Sequence, residues 1–298
     1  MSTHKPMAQA IIAAHQSLAL PNQTRDNPIF SSEAPVYQAA KQACLALGFI
    51  EADAECLAQA WQARTQRTGE FNATAWPDQA EDFGMRPWPR DDAFASCPKQ
   101  LGLYAVLPDA VWVGRMARAG VPTVQLRFKS DDVIAIEQEI CAAVQAVQGT
   151  GALLFINDHW QAAINAGAYG VHLGQEDLDT ADLQKIRAAG LRLGLSSHGY
   201  AEMLRADRLS PSYLAMGAVF PTTLKRMMTA PQGTGRLHAY ARLMQDYPLV
   251  AIGGIDASSL PDVLASGVGS VAVVRALVAA DHPEEVAASL QAAIRTPR

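Results

Sequence analysis

Short apolar runs alternate with longer segments of helical period from about residue 101 to the end of the chain. The runs are rich in β-branched residues and are bounded by Gly or Pro, which is typical of buried strands. This alternation predicts repeated βα units. The candidate strands cover residues 101–107, 123–128, 153–157, 169–174, 191–197, 213–219, 249–254 and 270–274.

Helix candidates lie between these strands. They include 131–147, 180–190 with Thr180 as N-cap, and 283–295 with Pro283 near the first turn. Parallel strands that are each followed by a helix close most economically as a (β/α)8 TIM barrel, although residues 99–298 are at the short end for that fold. A doubly wound open sheet is the alternative.

Residues 1–98 have a different pattern. Segments 8–20, 36–49 and 53–65 predict two or three amphipathic helices, after which Trp and Pro residues between 76 and 89 break all periodicity. We therefore divide the chain into a mainly helical extension with a linker, residues 1–98, and a barrel, residues 99–298. The extension contains no motif that carries chemistry, so we expect it to pack on the barrel or on a partner and to be dispensable for catalysis.

Composition narrows the class of ligand. The 298 residues are 49% hydrophobic and 18% charged, which excludes general disorder. The net charge is −5 and there is no basic run, so nucleic acid and anionic membranes are disfavoured as partners and small molecules are favoured. The four cysteines form no C-x-x-C, and no apolar stretch approaches the length of a membrane span, which favours a cytoplasmic location. A homo-oligomer remains open.

Polar residues at the ends of the second and third candidate strands suggest the first anion site. Strand alternation places Gln125, Arg127 and Lys129 on one face, where an amide and two cations suit a polyphosphate. An exposed strand end with solvated charges is an equally good reading of these three residues alone. Asn157 ends the next strand.

Two carboxylates follow adjacent strands. Asp158 and Asp177 have few salt-bridge partners nearby in the sequence, which makes them an economical Mg²⁺ site in which water and phosphate oxygens complete the coordination. Taken singly, each could instead cap the helix that follows. His172, between apolar strand neighbours, is expected to be a hydrogen-bonded barrel residue rather than a metal ligand.

A second anion site is predicted from the last three strands. A long loop carries Thr222 and Lys225, and long loops in compact domains are usually functional or disordered. Gly254 follows the seventh strand, and Val274 and Arg275 follow the eighth. Loops at these positions form the common phosphate cradle of such barrels, because Gly lets backbone N–H groups approach the oxygens closely.

Several long motifs in the right order resemble those of thiamine phosphate synthase, over about residues 101–280. They are QLRFK, FINDHWQAAINAGAYGVHLGQEDL, RLGLSSH, PSYLAMGAVFPTTLK, APQG and VAIGGIDASSLPDVLASGVGSVAVV. The resemblance implies a (β/α)8 transferase that joins 4-amino-2-methyl-5-hydroxymethylpyrimidine diphosphate to 4-methyl-5-hydroxyethylthiazole phosphate and releases pyrophosphate.

The resemblance also implies a role for each matching residue. It places Ser196 near the reacting centre and makes Arg127, Lys225 and Ser196 the catalytic candidates. Mg²⁺ is the implied metal, held by Asp158 and Asp177. The implied substrate ligands are Gln125, Arg127, Lys129 and Asn157 for the pyrimidine diphosphate, Lys225 for pyrophosphate, and Thr222, Gly254 and Val274 for the thiazole phosphate.

The chain departs from the family pattern at two positions. Leu224 stands where the family usually has Thr, and Arg275 where it usually has Ser. Both changes fall on the thiazole phosphate site, where Arg275 either binds the phosphate directly or blocks the cradle. Two alternatives stay open: a thiazole tautomerase paralogue, which His198 superficially suggests, and a non-catalytic ligand-binding subunit with a decayed site. The tautomerase has no use for a diphosphate and metal site.

Overall fold

Eight parallel strands form a closed barrel in the computed structural model, which describes residues 4–21, 29–222 and 229–295. Each strand pairs with the next along the chain, and β1 pairs with β8 to close the sheet. The predicted barrel is confirmed, and closure excludes the doubly wound open sheet. The strands are β1 Gly102–Leu107, β2 Thr123–Leu126, β3 Leu153–Asn157, β4 Gly170–Leu173, β5 Arg192–Ser197, β6 Tyr213–Met216, β7 Leu249–Ile252 and β8 Ser270–Val273.

Helices surround the barrel and precede it. Three lie before β1: α1 His4–Ala14, α2 Pro35–Ala46 and α3 Glu51–Thr68. Those after β1 are α4 Ala110–Arg118, α5 Val133–Ala146, α6 Trp160–Ala166, α7 Leu183–Ala188, α8 Tyr200–Asp207, α9 Gly233–Leu243, α10 Leu260–Ala265, α11 Arg275–Val278 and α12 Pro283–Arg295.

The predicted boundaries are wrong in two ways. β2 and β6 end two and three residues earlier than predicted, at Leu126 and Met216, because the chain leaves the sheet there to form the loops of the site. Thr180 is not the N-cap of α7. That role belongs to Asp182, whose carboxylate accepts the N–H of Lys185 at 3.0 Å, so the helix begins two residues later.

The N-terminal helices are part of the same packed body as the barrel. Leu18, Leu47 and Phe49 share a hydrophobic core with residues of the barrel and its surrounding helices. From α9, the buried Arg236 donates to the carbonyl of Leu18 at 2.9 Å and to that of Leu47 at 3.0 Å. The extension therefore packs on the barrel, which is one of the two arrangements expected from the sequence.

The stretch after α3 lacks helical period, as predicted, yet it is not a free linker. The side chain of Arg90 pairs with Asp207 at 2.7 Å, and both side chains are almost wholly buried. Trp88 packs edge-on against Tyr247, and the N–H of Phe94 bonds to the carbonyl of Ser210. These contacts fix the stretch to the barrel. Removing one partner of a buried ion pair strongly destabilises a protein, so the Arg90–Asp207 pair holds the stretch in place.

The described ranges contain no helix that could span a membrane. None of the helices there combines the length and apolarity needed to cross a bilayer.

Candidate active site

A cavity of about 650 Å³ opens at the carboxyl ends of the barrel strands. This is the end at which the βα loops converge and at which barrel enzymes place their sites. Lys225 and Leu224 lie outside the described residues. The cavity is lined by all the other predicted site residues: Gln125, Arg127, Lys129, Asn157, Asp158, Asp177, Ser196, Thr222, Gly254, Val274 and Arg275.

A chain of hydrogen bonds crosses the floor of this cavity. The hydroxyl of Tyr104 donates to Gln125 Oε1 at 3.0 Å, and Gln125 Nε2 donates to Asn157 Oδ1 at 2.8 Å. On the other side, the hydroxyl oxygens of Tyr104 and Tyr213 are 2.7 Å apart. His172 continues the chain, with Nδ1 2.7 Å from the Tyr213 hydroxyl and Nε2 2.8 Å from Ser196 Oγ.

One proton order satisfies every group in this chain. The Tyr104 hydroxyl donates its one proton to Gln125. Tyr213 therefore donates to Tyr104 and accepts from the Nδ1–H of His172. The Nε2 of a neutral His172 then accepts the proton of Ser196. Burial raises the pKa of both tyrosines above its ordinary value, so they remain protonated. The chain therefore fixes the Gln125 amide and directs the Ser196 oxygen, and His172 is hydrogen-bonded within the barrel as expected.

The acidic side of the cavity is built by the loops after β3 and β4. Asp158 Oδ2 lies 2.7 Å from Lys129 Nζ, and Asp177 Oδ2 accepts the N–H of Gly174 at 2.8 Å. Burial, followed by the nearby charges of Asp158 and Glu176, raises the pKa of the Asp177 carboxyl above its ordinary value. A cation bound beside these carboxylates would offset both the burial of Asp177 and the repulsion from its neighbours.

The capping alternative for these two aspartates is wrong. The N-cap of α6 is His159 and that of α7 is Asp182, and neither helix uses the side chain of Asp158 or Asp177. Asp158 also has a φ of 65°, in the left-handed region that non-glycine residues seldom adopt. Backbone strain of this kind is concentrated at functional sites. Like the carboxylate geometry, it therefore supports a functional role for Asp158.

The opposite side of the cavity, formed by the loops after β7 and β8, combines a glycine turn with one cation, Arg275. Gly254 has a φ of 65°, and a Cβ there would lie 2.6 Å from the carbonyl oxygen of Pro221, so only glycine fits. Arg127 and Arg275 also line the cavity, and neither guanidinium has a hydrogen-bond partner among residues 4–21, 29–222 and 229–295. Unpaired guanidinium groups beside a closely approachable backbone suit phosphate oxygens.

Sequence reasoning did not assign Tyr104, Tyr213 or Glu176 to the site. The first two face the barrel interior from β1 and β6 and meet only because the sheet closes. Their one sequence signal is a polar-tipped aromatic residue inside an apolar strand. Glu176 is one residue before Asp177, so adjacency to a predicted ligand was the available clue.

A second cavity, of about 730 Å³, lies between the extension and helices α9 and α10. Its charged lining is balanced, with Arg64 and Arg242 against Asp78 and Asp262, and Arg242 is paired with Asp78. Although it is slightly larger, none of the predicted site residues lines it. The smaller cavity at the strand ends is therefore the candidate active site.

Comparison with known proteins shows the family of this chain. The family described as thiamine monophosphate synthase matches residues 104–277. A thiamine-phosphate synthase of Neisseria meningitidis serogroup B is 55% identical over 199 residues, which span 67% of this chain and 97% of that protein. The chain belongs to the thiamine monophosphate synthase family. The resemblance predicted from the motifs is thereby confirmed.

Two further relatives agree. A thiamine-phosphate synthase of Yersinia pseudotuberculosis is 50% identical over 197 residues, or 66% of this chain and 92% of that protein. The solved structure of a thiamine phosphate pyrophosphorylase from Pyrococcus furiosus superposes with a TM-score of 0.58 at 27% identity, covering 65% of this chain and 95% of that one. Nearly the whole of each relative thus corresponds to only about two thirds of this chain. The family match begins at residue 104, so the extension lies outside it.

Proposed function

We propose that this protein is a transferase that forms thiamine phosphate. It joins 4-amino-2-methyl-5-hydroxymethylpyrimidine diphosphate to 4-methyl-5-hydroxyethylthiazole phosphate and releases pyrophosphate. The observation that carries the proposal is one cavity in which the Lys129–Asp158 pair and Asp177 lie on one side and the glycine turn at Gly254 on the other. A diphosphate with a divalent cation fits the first side, and a monophosphate fits the second.

The first side fits Mg²⁺ as well as diphosphate. Asp158 and Asp177 would hold the ion; burial and then the neighbouring carboxylates raise the pKa of Asp177, and a cation there would offset both effects. No group of three or more His, Cys, Asp or Glu in the described part of the chain could hold a metal by itself. Water and diphosphate oxygens would supply the remaining ligands, as Mg²⁺ sites commonly use them. When bound, the ion supplies charge neutralisation for the leaving pyrophosphate.

The chain's own residues then have distinct tasks. The bond between the pyrimidine methylene carbon and the diphosphate oxygen breaks, and the thiazole nitrogen forms the new bond to that carbon. Negative charge grows on the leaving oxygens, where Arg127, Lys129 and Lys225 would bind it. Gln125 and Asn157, fixed by the floor network, would orient the pyrimidine diphosphate. Positioning and electrostatic stabilisation suffice, since the attacking nitrogen carries no proton to remove.

The described part of the site contains no activated nucleophile. Ser196 Oγ donates to His172, but the other imidazole nitrogen faces the hydroxyl of Tyr213 rather than a carboxylate. The imidazolium that a nucleophilic serine requires would therefore gain no charged partner there. We assign Ser196 to the region of the reacting centre as a hydrogen-bonding group. This distribution of charge also favours the synthase over the tautomerase, which has no use for the carboxylate pair.

Pyrophosphate release measured with each component omitted in turn tests this function. We expect release only when both substrates and Mg²⁺ are present. Release from the pyrimidine diphosphate alone would indicate a hydrolase, and conversion of the thiazole phosphate alone would indicate the tautomerase. Binding of both substrates without any release would support the non-catalytic subunit.

Arg275 provides a prediction specific to this chain. Its guanidinium lines the cavity beside Val274, on the side of the Gly254 turn. Replacing Arg275 with Ala should raise the KM for thiazole phosphate about 10-fold, because a charge-assisted hydrogen bond to phosphate is lost. The KM for the pyrimidine diphosphate should stay unchanged. Steady-state kinetics checks this, with Arg208→Ala as the control because Arg208 is an exposed arginine at the far end of α8.

The opposite outcome would also be informative for Arg275. If Arg275→Ala lowers the KM for thiazole phosphate, the arginine obstructs the cradle. Arg275→Ser with Leu224→Thr restores the usual family pattern and should then bind this substrate more tightly than the unmodified chain.

We also propose a division of labour within the chain. Residues 99–298 would contain every substrate contact, and residues 1–98 would act on the site only through the fold. The described lining of the cavity supports this division, because its first residue is Tyr104. The cytoplasmic location and the oligomeric state remain predictions from the sequence.

A further inference from the structure

The loop between β5 and α8 brings site residues directly to the start of a helix. Ser196, Ser197 and His198 are consecutive residues of the cavity lining. Helix α8 begins two residues after His198. Ser196 and Ser197 are held by the sheet as the last residues of β5, so the first turn of α8 acts most directly on His198, which lies in the loop. The backbone N–H groups of that turn need acceptors from outside the helix.

The sequence of α8 supplies no capping side chain. Its N-cap is Gly199, which has none. The acceptor comes instead from Asp53 on α3 in the extension, whose Oδ1 accepts the N–H of Ala201 at 2.8 Å. An aspartate normally caps the helix that directly follows it in the sequence. Asp53 instead caps α8, which begins 147 residues after it.

The fit between the carboxylate and the loop is close. A Cβ at Gly199 would lie 2.1 Å from Asp53 Oδ2, so the carboxylate occupies the space that a side chain would need. Asp53 is only 4% exposed. Burial raises the pKa of its carboxyl to about 6, while the N–H of Ala201 and the charge of Arg236 oppose that rise. A buried carboxylate held in this way is a specific contact rather than a solvated surface charge.

The contact reaches the cavity through α8 itself. His198 bonds to Glu202 in the first turn of α8, with its backbone N–H 2.8 Å and its ring Nδ1 2.6 Å from Glu202 Oε2. Ser196, two residues earlier, bonds to His172 on the cavity floor. A shift of the first turn would therefore move His198 directly and would strain the Ser196 contact.

We propose that Asp53 is a positioning residue for the active site, by which the extension holds the β5–α8 loop in its working geometry. The inference rests on the proposed function, since the loop matters only if the cavity is where turnover occurs. It assigns a role to a segment outside the family match, which begins at residue 104.

The test compares two aspartate caps on the same barrel. Asp53→Ala removes the cap of α8, and Asp109→Ala removes that of α4, where the Asp109 carboxylate accepts the N–H of Trp112 at 2.8 Å. The loop carrying Asp109 contains no predicted site residue, so the two variants lose similar bonds but only one touches the site. Both are compared with the unmodified full-length chain in pyrophosphate release at saturating substrates.

We expect kcat to fall roughly 10-fold to 100-fold in Asp53→Ala, as small displacements of site groups commonly cause. In Asp109→Ala it should stay at the starting value even though the melting temperature falls in both. Asp53→Asn retains an oxygen that can accept from Ala201 and should recover most of kcat. Amide hydrogen exchange at residues 196–201 should accelerate in Asp53→Ala and not in Asp109→Ala.

Equal kcat values in Asp53→Ala and Asp109→Ala, in folded proteins, would overturn the positioning role. If Asp53→Ala does not fold, Asp53→Asn and Asp53→Ser decide: equal kcat in both contradicts the proposal, because serine is too short to reach Ala201. Absence of turnover in the unmodified chain is a separate result that rejects the proposed function itself. In that case, unchanged hydrogen exchange at residues 196–201 in Asp53→Ala would independently reject the contact.

Discussion

Replacing Asp158 or Asp177 with alanine should lower Mg²⁺-dependent pyrophosphate release by roughly 100-fold or more. The two carboxylates come from adjacent loops and face the same part of the cavity. With so few protein ligands, loss of either one removes a large part of the charge that would hold the ion. The Asp158 change also leaves Lys129 without its 2.7 Å partner. Release is measured over a series of Mg²⁺ concentrations.

The control for this pair is Asp246→Ala. Asp246 is an exposed carboxylate just before β7, at the end of the barrel opposite the cavity. The Asp246→Ala variant should release pyrophosphate at the rate of the unmodified chain. Activity that survives both EDTA and the two substitutions would reject the metal assignment.

A shortened chain that begins at Ser96 should lose its cooperative fold. The cut removes Arg90 and leaves the carboxylate of Asp207 buried without its partner. Breaking a buried pair in this way costs about 3–5 kcal/mol, a large part of the 5–15 kcal/mol by which domains are typically stable. It also uncovers the apolar surface now covered by Leu47 and Phe49. Dispensability of the extension for catalysis stays a prediction from the sequence, and these contacts add the expectation that the fold requires the extension.

Thermal and chemical unfolding monitored by circular dichroism measure this effect. Two variants of the full-length chain separate the contribution of the ion pair from that of the other contacts of the extension. Arg90→Met alone should strongly lower the free energy of unfolding. Arg90→Met combined with Asp207→Leu should recover much of that loss. A soluble shortened chain with a cooperative transition and full turnover would show that the extension is a detachable appendage.

The sequence predicts the barrel and the position of most site residues for a physical reason. In parallel βα units the loops after the strands share one end of the sheet, so Asp158 and Asp177 are brought together by the topology alone. The same argument places Gly254 and Arg275 opposite them. The order of the strands follows from the repeated units, and the cavity then contains every described residue that the motifs single out.

Other features depend on contacts between distant segments. The Tyr104–Tyr213 bond forms only when the sheet closes, and the Asp53–Ala201 bond only when the extension packs on α8. No local pattern reports either of them. Asp182, rather than Thr180, caps α7 because the chain between them forms a turn before the helix begins, and both residue types are good caps.

The identity of the product tests the central claim most directly. The full-length chain is incubated with both substrates and Mg²⁺, and the mixture is separated and analysed by mass spectrometry. We expect thiamine phosphate and pyrophosphate to form in equal amounts, with neither formed when one substrate is left out. Pyrophosphate without thiamine phosphate, an isomerised thiazole phosphate alone, or two unchanged substrates would contradict the account.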